Sequence, residues 1–118
     1  MTTEEMKNAI NHMVDICYTR SKNAGWHDSP REVGTILMLI VSEISEAMEG
    51  ARKDLMDDHL PHRKMMEVEL ADGIIRIFDA AGFFGMDLGG AVMEKLAYNL
   101  SRSDHKRENR QKEGGKKF

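Results

Sequence analysis

The chain is short of several things, and each shortage closes off a class of protein. One cysteine, Cys17, stands among 118 residues, so no intrachain disulfide can form and a cysteine-based zinc site is out of reach. It falls in an apolar row with Ile10, Met13 and Val14, where a thiol serves as a small buried hydrophobe. Aromatics are only 6 % while methionine contributes 10 residues, a balance that suits helix packing better than a β-sandwich. No segment carries a β signal, and no internal repeat occurs. The most apolar run, Ile36 to Val41, is far too short to span a bilayer. Thr2 to Lys7 is polar and acidic with no apolar signal segment behind it. A soluble, cytoplasmic protein without a membrane partner is the expectation. The net charge of −3 gives no global signature for a nucleic-acid duplex.

What is present is helical periodicity. Hydrophobic residues make up 41 % and charged residues 31 %, an ordinary balance for one domain of this length. So short a chain buries a modest core, which makes self-association a natural source of stability. Thr2-x-x-Glu5 reads as a capping box, followed by Met6, Ile10, Met13, Val14 and Cys17 at helical intervals, a first helix over 2–23 that stops near Gly25. Ser29-Pro30-Arg31-Glu32 reads as a second start, giving a helix over 30–53 that is apolar on more than one face. A charged, irregular stretch closes at Pro61. A third helix spans 62–81, with Gly82-Phe83-Phe84-Gly85 as stop residues. A fourth, capped by Asp87, spans 87–103. The fold class is all-α, a four-helix bundle-like domain over 1–103. Asp104 to Phe118 is a basic tail without apolar periodicity, expected to fray.

The chemistry concentrates in Glu43-x-x-Glu46 and Glu69-x-x-Asp72. Residues at i and i+3 share a helix face, so each pair projects both acids the same way. Such pairs are commonplace on solvated faces. These interrupt apolar rows instead: Glu43 follows Ile36 and Ile40 and precedes Ala47, while Asp72 sits with Val68, Ile75 and Asp79. Acids on a core-facing stripe are costly unless a positive group satisfies them. Arg76 could pair with Asp72 at i+4, but no set of basic residues is placed to neutralise all four. Hard oxygen ligands favour Mg²⁺, with Mn²⁺ as a substitute, over zinc. A di-iron centre wants Glu-x-x-His, and none of the five histidines has an acid three residues before it. Lys95, Asn99 and Arg102 form a polar face on the fourth helix with donors suited to phosphate oxygens. Trp26, the only tryptophan, lies in a loop with Asn23 and His27. A flat ring there either lids the bundle end or meets an aromatic ligand group.

Taken together, Glu43-x-x-Glu46, Glu69-x-x-Asp72 and Lys95-x-x-x-Asn99-x-x-Arg102 resemble the MazG-type nucleoside triphosphate pyrophosphohydrolases. Their all-α superfamily also holds dimeric dUTPases, dCTP pyrophosphatases and phosphoribosyl-ATP pyrophosphohydrolases. The resemblance runs from the first helix to about Arg102. One departure is Ser42, where the family often has a further acid. The resemblance implies Mg²⁺-dependent hydrolysis of (d)NTP to (d)NMP and pyrophosphate, a house-cleaning activity on the nucleotide pool. It implies metal on Glu43, Glu46, Glu69 and Asp72, with Glu46 assigned as the base that orients water. Lys95, Asn99 and Arg102 would meet phosphate, and Asn23, Trp26 and His27 the base. A homo-oligomer, dimer or tetramer, is implied as well. A dUTPase-like, dCTPase-like or phosphoribosyl-ATP enzyme keeps this fold with another substrate. The non-enzyme rival is a helical interaction module whose acids form structural ion pairs.

Overall fold

A computed structural model describes residues 1–102 and 107–116. It is all-helical: α1 (Thr3–Asn23), α2 (Val33–Lys53), α3 (Met65–Phe83), α4 (Leu88–Ser101) and the one-turn α5 (Arg107–Arg110). No strand forms among the described residues, only an isolated bridge between Met56 and Lys64. The four long helices expected from periodicity are all there, in number and length compatible with a helical bundle. No helix among the described residues is long and apolar enough to cross a membrane.

The helix ends follow local chemistry. At α1 the capping box is made in both directions: Thr2 Oγ1 accepts from the Glu5 amide at 3.0 Å and Glu5 Oε1 from the Thr2 amide at 3.1 Å. α2 begins at Val33, three residues after the expected Pro30. Glu32 is the cap residue, extended at φ −70° and ψ 148° with no side-chain cap bond. A proline ring fixes φ near a value shared by helical and extended chain, so Ser29-Pro30 does not by itself choose the helix.

α3 begins at Met65, not His62, because the preceding backbone is committed elsewhere. The Asp57 amide donates to Arg63 O and the Met65 amide to Leu55 O, both at 2.9 Å. The buried Asp57 carboxylate accepts from the His59 and Leu60 amides at 3.0 and 2.8 Å, so this loop is clasped where an irregular stretch was expected. The helix then runs two residues past the expected Ala81. Gly85, at φ 67°, is the left-handed residue that ends it, with Met86 N–H bonded to Ala81 O and Gly85 N–H to Gly82 O. Gly82 stays helical, where Tyr18 packs so closely that a Cβ would come 2.4 Å from the tyrosine Cβ. α4 is capped by Asp87, which accepts from the Gly90 amide at 2.9 Å, and ends at Ser101. The expected end at Ser103, the boundary at 103/104 and the tail residues 104–106 and 117–118 lie outside the described residues.

Two compact units emerge, His12–Met86 and the remainder, with α1 running through the boundary. In the first, α2 and α3 pack as an antiparallel hairpin: Gly50 meets Met65 at one end, and Gly73 meets Ile44 and Glu43 further along. Small residues carry this closeness. The unit's buried apolar residues are Val14, Cys17, Ala47, Ala80 and Ala81, while Leu37, Val41, Ile44, Met48, Leu70 and Ile74 stand about half exposed. In the other unit Asp87 anchors the start of α1 to α4. Its Oδ1 accepts from Asn11 Nδ2 at 2.7 Å, Asn11 Oδ1 accepts from the Gly89 amide at 2.8 Å, and Lys7 lies 3.7 Å away.

The glycines give a direct check on this packing. A Cβ at Gly89 would lie 2.3 Å from the Lys7 carbonyl oxygen, so Gly89→Ala is expected to cost about 1–3 kcal/mol in denaturant unfolding. Gly34 has nothing within 4 Å, and Gly34→Ala is expected to be neutral or stabilising by a few tenths of a kcal/mol.

Candidate metal centre

The antiparallel register of α2 and α3 sets Glu43 opposite Asp72 and Gly73. With Glu69 one turn earlier on α3, three carboxylate oxygens fall within 4.8 Å of one another. Gly73 lies against α2 here: a Cβ at this position would stand 3.4 Å from Ile44 and 3.8 Å from the Glu43 Cβ, in ordinary van der Waals contact. Glu43 is only 9 % exposed, yet acids almost never lie so deep without a partner. Its partner comes from α3: Arg76 Nε donates to Glu43 Oε1 at 2.8 Å. The pairing of Arg76 with Asp72 at i+4, considered from sequence, is thus replaced by a bond across the hairpin.

The three acids take different protonation behaviour from their surroundings. Burial alone pushes Glu43 upward, but hydrogen bonds from Arg76 and Glu69, the Arg76 charge and a bond from Glu46 outweigh it and hold Glu43 below the ordinary range. Glu69 goes the other way. Burial, the bonds it makes to Glu43 and Glu46, and the charges of Glu46 and Asp72 raise it to about 8. As a carboxylate its Oε2 is buried and finds no donor; protonated, it can donate to Glu43 or Glu46. Burial and then the Glu43 charge raise Asp72, with the nearby Asp57 adding to the push and Glu69 and Arg76 opposing it. Glu46 is exposed and is not one of the three converging acids, though it bears on both Glu43 and Glu69.

This donor set suits a hard divalent cation. It is all oxygen, carries up to three negative charges, and includes a buried oxygen with no hydrogen-bond partner. Glu43, Glu69 and Asp72 would hold such an ion.

Glu43 and Asp72 also line a cavity of about 510 Å³. Met13, Ile16 and Cys17 from α1 and Ile75 from α3 make its walls apolar, and Arg20, Ser21, Arg76 and Asp79 are its other polar groups. The Cys17 thiol is raised by burial and by the Asp79 charge, with Arg20 opposing. Trp26 lines the cavity and is 48 % exposed. Two guanidinium groups attend its ring, Arg31 at 5.5 Å and Arg76 at 5.7 Å from the centroid.

Of the three residues assigned to a base, then, Trp26 is at the cavity. His27 is turned to Asp79 and stacks on Phe83, and Asn23 is exposed at the end of α1. Lys95, Asn99 and Arg102 belong to the other unit; Lys95 and Asn99 lie on α4, and Arg102 is the extended residue just past its end, at φ −71° and ψ 133°, and so is not on the helical face expected for all three. Lys95 Nζ and the Arg102 guanidinium lie 4.7 and 5.8 Å from the Tyr98 ring centre, and Arg102 donates to Asn99 Oδ1 at 3.5 Å. Lys95 and Asn99 line a shallow groove of about 360 Å³. Sequence reasoning passed over Arg20 and Ser21, and placed Asp79 on the row of Asp72 without a role. The one available signal was Asp79 at i+7 from Asp72, on the same helical row.

Comparison with known protein families, curated proteins and solved structures gave no match. Any assignment of function therefore rests on the residues themselves.

The crowding of acids has a pH signature. Between the ordinary carboxylate value of 4.5 and about 8, folded Glu69 holds a proton that the unfolded chain has lost, so stability falls as pH rises through that window. Without divalent cations the melting temperature is expected to drop from pH 5 to pH 8, and Glu69→Gln should flatten the dependence. Arg76→Gln should destabilise the cation-free protein by about 3 kcal/mol, because it strands Glu43.

Proposed function

We propose that this protein is a Mg²⁺-dependent nucleoside triphosphate pyrophosphohydrolase that converts (d)NTP to (d)NMP and pyrophosphate, in the manner of the MazG-like enzymes. The observation that carries the reading is the convergence of Glu43, Glu69 and Asp72 around a buried, donor-less oxygen at the edge of a cavity with an exposed indole. A divalent ion there would set positive charge against phosphate oxygens and acidify water.

The protein's own groups do the rest. Glu46, exposed beside the acids, orients the attacking water and accepts its proton. Trp26 offers a flat apolar face to the base. Lys95, Asn99 and Arg102 are donors of the type that phosphate takes. With Mg²⁺ and a panel of nucleotides, pyrophosphate and monophosphate should appear. Orthophosphate as the only product, or no turnover of any nucleotide, would reject the assignment. Glu69→Gln should lower kcat/KM by about 100-fold or more while the protein stays folded. Turnover confined to dUTP, dCTP or phosphoribosyl-ATP would place it with those relatives of the superfamily.

The Arg76–Glu43 bond at 2.8 Å favours a second reading, a helical interaction module in which the acids are purely structural. The two readings differ on cation response. Mg²⁺ raises the melting temperature of a protein that binds it when folded and leaves the module unchanged.

Self-association belongs to the same proposal. Val33, Leu37, Val41, Ile44 and Met48 on α2 and Leu70, Ile74 and Ile77 on α3 form half-exposed apolar rows, more than a monomer ordinarily leaves in water. A second copy of the chain covering these rows gives a symmetric dimer, alone or within a tetramer. Light scattering should return a dimer or tetramer mass, and Leu37→Glu with Ile44→Glu should shift it to the monomer. A wild-type monomer at micromolar concentration would refute the assembly.

A further inference from the structure

One carboxylate in the cavity is not used by the metal centre. Asp79 lies seven residues beyond Asp72 on α3, which is two helical turns and about 10 Å along the same face. That spacing matches the reach from the 5′ phosphate of a nucleotide to the hydrogen-bonding edge of its base.

Asp79 is held in place by two neighbours. Its Oδ2 accepts from the Ser21 hydroxyl at 2.9 Å, and its Oδ1 lies 2.7 Å from His27 Nε2. His27, with its side chain 14 % exposed, is fixed in turn by stacking on Phe83 at 4.7 Å and by Tyr18 at 5.3 Å. The trio is not a nucleophilic triad. Ser21 and Asp79 both meet the same imidazole nitrogen, and the serine hydroxyl donates to the carboxylate, so no base is aimed at Ser21. The arrangement orients Asp79 without exhausting it. A carboxylate has about four lone-pair sites and these contacts use two, while the side chain remains 22 % exposed on the cavity wall. Arg20 lines the same wall as a donor.

We propose that Asp79 selects the nucleobase, taking bases that carry an exocyclic amino group and refusing uracil and thymine. The inference rests on the reading that the cavity holds the nucleoside of a nucleotide whose phosphates lie at Glu43, Glu69 and Asp72. Adenine, cytosine and guanine each present an amino N–H to an acceptor. Uracil and thymine present only a ring N–H flanked by two carbonyl oxygens, and one of those oxygens is forced against the carboxylate. Unmatched acceptors in a part-buried wall are strongly discriminating. Arg20 is a donor for any base carbonyl, which cytosine, guanine, uracil and thymine all carry, so the selection falls to Asp79.

The test is a panel of dATP, dCTP, dGTP, dUTP and dTTP with the full chain and Mg²⁺. The wild type should turn over at least one amino-bearing substrate with kcat/KM about tenfold or more above dUTP and dTTP, equivalent to about 1.4 kcal/mol. Asp79→Asn keeps the size of the side chain and a carbonyl for Ser21 while turning an amide N–H into the cavity, and should bring dUTP within about threefold of dCTP. Wild-type hydrolysis of dUTP or dTTP at the rate of the amino bases overturns the proposal, as does an unchanged ratio in Asp79→Asn. Binding gives a readout independent of turnover, because Trp26 is the only tryptophan and reports on the cavity by its emission. If no triphosphate is hydrolysed, the pyrophosphohydrolase reading fails. Base selection then stands if dCMP shifts Trp26 emission at concentrations where dUMP does not, and falls if the two act alike or neither acts.

Discussion

Three carboxylates brought together between two closely packed helices are the constraint on which the rest of this structure depends. At the 4.8 Å spread of their oxygens, two full charges in a partly buried setting repel by about 3.5 kcal/mol, and three cannot all ionise without help. Help comes in two forms: the Arg76 guanidinium neutralises Glu43, and a proton stays on Glu69. Neither solution is complete, because Glu69 still has a buried oxygen that no donor reaches. A hydrophobic replacement of the same volume would avoid the conflict altogether, and the cost of the cluster is what supports the proposed cation site.

The hairpin geometry ties that cluster to the cavity beside it. Gly50 lets α2 and α3 approach closely at Met65, Ala47 and Ala80 are buried, and many large apolar side chains of the two helices stand half exposed. The inward faces of α1 and α3 are then free to line a cavity. Arg76 stands at the junction. Its Nε meets Glu43 and its guanidinium also lies over Trp26, so a single side chain touches both the acids and the aromatic wall.

Much of this was legible from residue spacing. The four long helices, the capping box at Thr2 and Glu5 and the cap at Asp87 follow from local rules, as does the placing of Glu43, Glu69 and Asp72 on packed faces. The errors fall where local signals are ambiguous. Pro30 suits extended chain as well as a helix start, residues 62–64 are held by pairing across the loop, and Gly82 is no stop signal but a helical residue kept small by the close approach of Tyr18. The partners were least legible. Arg76 lies one helical turn from Asp72 and could pair with it on local spacing, whereas the register of a hairpin, which no local pattern gives, hands it to Glu43. Asp79 and His27 were each visible alone, but their contact spans 52 positions of sequence. Glu46 keeps its place in the motif while standing on the solvent side of the acids.

The claim at the centre of this account is that Glu43, Glu69 and Asp72 are cation ligands. Anomalous diffraction from a crystal grown with Mn²⁺ and a non-hydrolysable nucleoside triphosphate addresses it most directly. The account predicts a manganese peak among these three carboxylates, within coordination distance of at least two, with Arg76 displaced from Glu43 or sharing its second oxygen. Manganese bound elsewhere on the chain, or a triphosphate ordered in the crystal with no metal at these acids, would contradict it.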